Sequence, residues 1–136
     1  MRKKKKKYAN VIMLLLILFV LFYVVLQDKS IKVSVDELVN SYISDIPASD
    51  NKFLGKEIEL SGKVKLLFQF EGERGLLELD TGNIGLQLFC ILMNTETEEK
   101  ASTLTAGTNV TVFGKCLGIK DYKFPNSIYI EAERIK

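Results

Sequence analysis

The sequence predicts a mainly β protein: a five-stranded Greek-key barrel, preceded by a short amphipathic helix and one N-terminal transmembrane helix. Three observations carry this. Tyr8 to Gln27 holds no charged residue over 20 positions. Apolar residues then recur once at helical spacing, at Val35, Leu38, Tyr42 and Ile46. From Phe53 onward the period changes to two, in five separate runs.

The N-terminal stretch is apolar from Val11 to Leu26. A helix of this length spans roughly 30 Å, the thickness of a bilayer's hydrocarbon core. Arg2 and Lys3 to Lys7 precede it directly. That asymmetry holds the N-terminus in the cytoplasm and sends the rest across. Tyr8 and Tyr23 lie near the two ends, where interfacial aromatics are expected. A cleaved signal peptide would have a shorter apolar core and small residues at its exit. Here the exit is Val24-Val25-Leu26-Gln27-Asp28. Lipoprotein processing needs a cysteine just after the apolar run, and the first cysteine is Cys90. An uncleaved signal anchor is therefore expected. The chain divides into a basic cytoplasmic flank (1–7), the anchor (8–27), a tether and amphipathic helix (28–52) and the barrel (53–136).

The net charge of +2 conceals an asymmetry. Without Arg2 to Lys7, 13 basic residues face 17 acidic ones, a balance of −4. Phosphate backbones are bound by positive charge and counterion release, so this balance disfavours nucleic acid as partner. There is no histidine, which removes Ser-His-Asp and Cys-His catalysis and every histidine-based metal site. Two cysteines without a C-x-x-C are too few for zinc. No phosphate-binding glycine motif is present. Glu57/Glu59 and Glu131/Glu133 are spaced i, i+2, as on the solvent faces of strands. No catalytic residue, metal or cofactor is expected.

Asp28 to Val33 is expected to be a tether. Ser34-Val35-Asp36-Glu37 reads as a capping box, with Ser34 accepting from the third helical N–H and Glu37 returning to the cap N–H. The helix should run from Val35 to Asp45 and stop at Pro47. Its stripe should pack on the following domain; docking on the membrane surface is the alternative, weakened by Asp36, Glu37 and Asp45 on the polar face. A long strand then begins. Ile58, Leu60, Gly62, Val64 and Leu66 share one face, and the strand extends toward Phe70. Gly62 in its middle suggests a bulge or bend. Glu71 to Gly75 is a turn, Leu76 to Asp80 a second strand, and Thr81-Gly82-Asn83 a second turn. Ile84, Leu86, Leu88 and Cys90 alternate along a third strand. Asn94 to Leu104 is polar and should cross one end of the sheet as a short helix or loop. Val110, Val112, Gly114 and Cys116 mark a fourth strand; Ile128, Ile130 and Ala132 mark a fifth. Phe113 points outward and is expected beneath the Val35–Asp45 helix.

One frame occurs twice. G-x-x-[IV]-x-[LV]-x-G-K fits Gly55 to Lys63 and Gly107 to Lys115. Two copies are no solenoid; they suggest two strands meeting the same local demands. Five strands with a crossing segment between the third and fourth is the order of an OB-fold.

The chain also resembles a known family. Val35-Asp36-Glu37-Leu38, Asp45 to Asn51 and Phe53 to Val64 resemble the opening of the bacterial tRNA-anti-like OB proteins, with their short helix and glycine-spaced first strand. Leu88-Phe89-Cys90 and Val110 to Gly118 resemble later segments of the same pattern. The likeness covers Val35 to Lys136. It implies an OB-fold, often behind an N-terminal export or anchor segment, and supplies no catalytic residue. Ile119 to Asn126 departs from the pattern by being more basic and aromatic. Together with the anchor, the expected location is a bacterial inner membrane, single-pass, with the C-terminal domain extracytoplasmic.

Cys90 and Cys116 both fall on the inward phase of their strands. They are either two small buried hydrophobes or one disulfide, which an oxidising compartment permits. OB-folds commonly bind on the face of their second and third strands, flanked by the loops after strands one and four. Those loops are Glu71 to Gly75, with Arg74, and Gly118 to Asn126, with Lys120, Tyr122, Lys123 and Phe124. Gln87 and Phe89 lie on the outward phase of the third strand. Arg74, Gln87, Phe89, Lys120, Tyr122, Lys123 and Phe124 are the candidate ligand contacts. The expected function is a membrane-anchored binding module without chemistry, taking a protein of the envelope or a small polar ligand. Nucleic-acid binding and a structural assembly role are the alternatives.

Overall fold

The computed structural model describes residues 2–26, 30–83 and 85–136. Helix α1 (Arg2–Leu26) contains the apolar stretch, and its apolar side chains from Val11 to Val24 are all exposed. It is followed by β1 (Ile31–Ser34), α2 (Val35–Ser44), α3 (Ile46–Phe53), β2 (Glu57–Phe68), β3 (Leu76–Leu79), β4 (Gln87–Leu92), α4 (Thr95–Ser102), β5 (Asn109–Lys120) and β6 (Ser127–Ile135).

The sheet runs β1-β2-β3-β4-β6-β5, and β5 returns to β2. Five strands thus close into a barrel, with α4 between its third and fourth strands. This is the OB-fold arrangement. Only the β4–β6 contact within the barrel is parallel. The period-two pattern works as expected on β4: Leu88, Cys90 and Leu92 enter the barrel core with Leu77, Leu79, Val112 and Ile130.

The two copies of the repeated frame pair with each other. Leu60 sits opposite Val112, Ile58 opposite Gly114, and Gly62 opposite Val110. Backbone bonds extend the symmetry at both ends: Gly55 N–H donates to Cys116 and Gly107 N–H to Val64. Gly55 and Gly107 enter the two strands with φ of 74° and 87°, which glycine adopts without steric cost. The inner glycines serve close approach. A Cβ on Gly114 would lie 2.0 Å from the Glu131 carbonyl oxygen, and one on Gly62 would lie 2.4 Å from Val35 Cγ2.

Several expectations need correction. Within the expected tether, Ile31–Ser34 is a strand, adding in parallel to β2 with Val33 opposite Leu60. Residues 27–29 lie outside the described residues. Pro47 does not stop the amphipathic helix. Asp45 ends α2 and caps α3 by accepting from the Ala48 N–H, and Pro47 sits in α3's first turn, where its missing N–H costs nothing. On β2 the register shifts between Val64 and Leu66, beyond Gly62 rather than at it. The shift turns Leu66 outward, where it is half exposed. The third barrel strand begins at Gln87, and Ile84 lies outside the described residues.

The stripe of α2 does pack on the barrel. Val35, Leu38, Val39 and Tyr42 are buried, although Ile46 is not. Ser34 accepts from the Glu37 N–H at 3.1 Å, which is half of the expected box; among the described residues the Glu37 carboxylate does not return to the cap N–H. Phe113 is not beneath this helix. The Arg134 guanidinium lies 4.1 Å from its ring centroid, and Lys136 5.4 Å.

Candidate ligand-binding face

Residues on the outward phase of β3, β4 and β6 build a face opposite to the barrel core. Pairing places Glu78 beside Phe89 and Phe89 beside Tyr129. Leu76, Phe89 and Tyr129 form a second buried cluster, joined by Phe68, Phe70, Ile91, Leu117 and Phe124. Aromatic side chains on a strand's outer phase are left exposed unless something covers them. Here the β5–β6 loop covers them. Phe124 stacks on Phe89 at 4.5 Å between centroids and 10° between planes, and meets Phe68 at 4.9 Å.

The loop is held by its backbone. The Tyr129 hydroxyl accepts from the Phe124 N–H at 2.9 Å and donates to the Phe124 carbonyl at 2.8 Å. Burial pushes the Tyr129 phenol above its ordinary value, so it remains a donor. Asp121 accepts from the Asn126 N–H, and Asn126 adopts φ of 51°, in the left-handed region that asparagine tolerates. Lys123 pairs with Glu73 of the β2–β3 loop and lies 4.9 Å from the Phe70 ring centroid. The hydrogen bond to Glu73 raises the Lys123 ammonium above its usual range. Tyr122 touches Tyr129 edge-on at 5.6 Å and is otherwise exposed.

Of the seven expected contacts, six fall on or around this face. Phe89 is fully buried and Phe124 half-buried, so both form the floor rather than a free stacking surface. Tyr122 and Lys120 are exposed; Gln87 is partly so. Gln87, Ser127 and Lys120 are in register across β4, β6 and β5. Arg74, the seventh, lies just before β3, at the end of the face away from Lys120, with its Nη1 3.2 Å from Met93 Sδ.

Glu78 was missed. It is 3 % exposed, accepts from Gln87 Nε2 at 3.1 Å, and pairs with Lys65 Nζ at 3.3 Å. Its signal was a lone carboxylate inside the otherwise apolar strand Leu76–Leu79. The aromatic spacing Phe68-x-Phe70 was a second signal for the covered cluster.

The two cysteines are free and buried. Both are paired with Ile130, Cys90 from β4 and Cys116 from β5. Two strand spacings put their backbones roughly 10 Å apart, beyond the about 7 Å that a disulfide spans. This corrects the disulfide alternative. Burial pushes Cys90 up to about 12 and also raises Cys116, which the Tyr42 hydroxyl approaches at 3.9 Å. Among the described residues no group of three or more histidines, cysteines or carboxylates gathers in metal-binding reach.

A cleft of about 560 Å³ lies elsewhere, between the start of α2 and the barrel, with Ser34, Ser61, Lys63, Asp80, Asn109 and Thr111 in its wall. Asp36 and Lys136 also line it, so its wall carries charges of both signs.

No curated protein matches the chain in sequence. Among solved structures, a Klebsiella pneumoniae lipoprotein named as nucleic acid-binding superposes with a TM-score of 0.51 at 13% identity, covering 79% of this chain and 90% of that one. A Leishmania major protein named as an aspartyl-tRNA synthetase gives 0.52 at 13% identity, over 79% of this chain and 20% of that one. These likenesses show the shared fold. Asparaginyl-tRNA synthetase from Pyrococcus horikoshii gives 0.47 at 25% identity over 62% of this chain, which spans 19% of the synthetase's length. The family model described as tRNA_anti-like matches residues 1–126, most of the chain, and the protein belongs to that family.

Proposed function

We propose that the protein is a single-span, membrane-anchored binding module whose OB domain lies outside the cytoplasm and performs no chemistry. The observation that carries the anchor is α1: Lys4–Val24 has a mean hydropathy of 2.2 and no buried share. A helix that is apolar all round and unburied by protein is matched to lipid. Arg2 and Lys3 to Lys7 support a cytoplasmic N-terminus in a bacterial inner membrane. The lack of histidine in the sequence supports binding over catalysis.

The ligand is a protein of the envelope or a small polar molecule, and it meets the rim of the aromatic face. Tyr122 offers an exposed ring, Lys120 an exposed ammonium, and Gln87 a partly exposed amide in register with Lys120 across Ser127. Phe89 and Phe124 supply a rigid floor. Nucleic-acid binding through the same face is the second reading, favoured by the name of the Klebsiella lipoprotein of the same fold. The −4 balance of the chain beyond Lys7 weighs against it.

A photo-reactive aromatic residue in place of Tyr122, in the full chain expressed in cells, tests the face. A discrete adduct that Lys120→Glu abolishes is expected. Adducts absent at Tyr122 and present at a control position on α4 would contradict the assignment. Nucleic acid in the adduct, with capture falling steeply as salt rises, would select the second reading.

A further inference from the structure

Large apolar side chains outside α1 are exposed at five described positions, and three of them, Ile43, Ile46 and Leu54, lie on the α2–α3 corner. The pairing tells which end of the domain this corner occupies. β1 enters with Ile31 opposite Ile58 and runs away from the start of β2. α2 returns. Its Val35 packs at Gly62, while its Tyr42 hydroxyl reaches Asp50, Cys116 and the neighbourhood of Gly118. Leu54 Cδ1 borders Gly118 too, and Gly55 N–H donates to Cys116. The corner therefore sits at the end where β2 begins and where the chain enters from α1. α4 lies at the opposite end, with Asn94 bonded to Glu133 near the finish of β6.

Five residue steps separate Leu26 from Ile31. Chain geometry limits that separation to at most about 18 Å. Once α1 spans a bilayer, the end of the domain carrying Ile31 cannot stand far from the head groups, whose layer is itself roughly 5–8 Å deep on each side.

The corner carries charges of both signs, with Glu57 exposed beside Lys56. Asp45 is used in capping α3, and Asp50 accepts from the Tyr42 hydroxyl at 2.9 Å. Lys52 and Lys56 are both exposed. Lys52 Nζ also lies 5.1 Å from the Phe53 ring centroid. Apolar side chains beside exposed lysines suit the boundary between acyl chains and head groups.

We infer that the α2–α3 corner, through Ile43, Ile46, Leu54, Lys52 and Lys56, docks on the outer surface of the bilayer that α1 spans. This rests on the single-span reading. The docked corner fixes the domain's orientation and leaves α4 facing away from the membrane. The buried stripe of α2 has no part in it.

The chain has no tryptophan, so one introduced residue reports its own depth. The full chain is reconstituted in vesicles of phosphatidylethanolamine and phosphatidylglycerol containing lipid with a nitroxide at acyl carbon 5. Ile43→Trp, Ile46→Trp and Leu54→Trp are compared with Leu21→Trp in α1 and Glu99→Trp on α4. Docking predicts roughly twofold quenching at the three corner positions, with blue-shifted emission, and none at position 99. Lys52→Glu with Lys56→Glu should reduce corner quenching and leave Leu21→Trp unchanged. A quenched Leu21→Trp with corner positions as bright as Glu99→Trp overturns the docking and leaves the anchor standing. A Leu21→Trp that nitroxide at acyl carbons 5 and 12 both fail to quench overturns the anchor, and the docking falls with it.

Discussion

Phe124 stacks on Phe89 with centroids 4.5 Å apart, so the sheet face on which OB-folds commonly bind is floored by a residue of the chain's own loop. The stack joins the β5–β6 loop to β4. Tyr129 fixes the same loop by two bonds to the Phe124 backbone. Under the proposed function, a ligand on this face meets the rim formed by Tyr122, Lys120 and Gln87 rather than Phe89.

Phe124→Ala should lower stability by about 2 kcal/mol, because it removes a half-buried ring and opens the buried Phe89 to water. Tyr122→Ala should cost less than about 1 kcal/mol, since that ring is largely exposed. Urea unfolding of the two full-length variants in detergent measures the difference. Equal losses would mean that the stack is not what holds the loop.

Gly114→Ala should cost about 3 kcal/mol, at the upper end of overpacking. Its new methyl group meets the Glu131 carbonyl, which is committed to the β5–β6 ladder. Gly62→Ala should cost about 1 kcal/mol, because its obstacle is the Val35 side chain. Combined with Val35→Ala, the Gly62→Ala penalty should shrink, giving a coupling of about 1 kcal/mol in a double-mutant cycle. Strict additivity would show that Val35 is not the obstacle.

Gln87→Leu should destabilise by about 2 kcal/mol, leaving the buried Glu78 with Lys65 alone. Glu78→Leu together with Gln87→Leu should be closer to neutral, since no polar group then remains unpaired. If the double variant loses more than Gln87→Leu alone, Glu78 has a role beyond being satisfied.

Burial raises Cys90 from 9.0 to about 12, and raises Cys116 and Tyr42 as well. A group held protonated in the fold contributes fully below its unfolded value. That contribution is lost as pH climbs from there through the folded value. Stability should be flat below pH 8 and fall above about 9, with Cys90 alone contributing about 1 kcal/mol of the loss at pH 10. Cys90→Ala should flatten the alkaline slope even if it lowers stability throughout. Thermal melts from pH 7 to 10.5 give the slope, and an unchanged slope in Cys90→Ala would contradict the assignment.

The barrel was legible because one face of each strand is apolar, so Leu88, Cys90 and Leu92 declare their side by period alone. β1 was not. Ile31–Ser34 is too short to show a period, and its parallel pairing with β2 depends on where α2 docks. Pro47 misled because proline suits both the end of one helix and the first turn of the next. Here Asp45, capping α3, decides between them. At the face, alternation correctly turned Phe89 outward. It could not show that Phe124, remote in sequence, would cover it. Glu78 escaped notice because its burial arises from neighbours on two other strands.

The placement of the OB domain beyond the membrane is tested most directly by two fusions after Lys136, one to alkaline phosphatase and one to green fluorescent protein. The first is active only outside the cytoplasm; the second fluoresces only within it, because green fluorescent protein exported unfolded stays dark. An active phosphatase fusion and a dark fluorescent one are expected, both in the membrane fraction. An inactive phosphatase with a bright fluorescent fusion would put the domain in the cytoplasm and contradict the account.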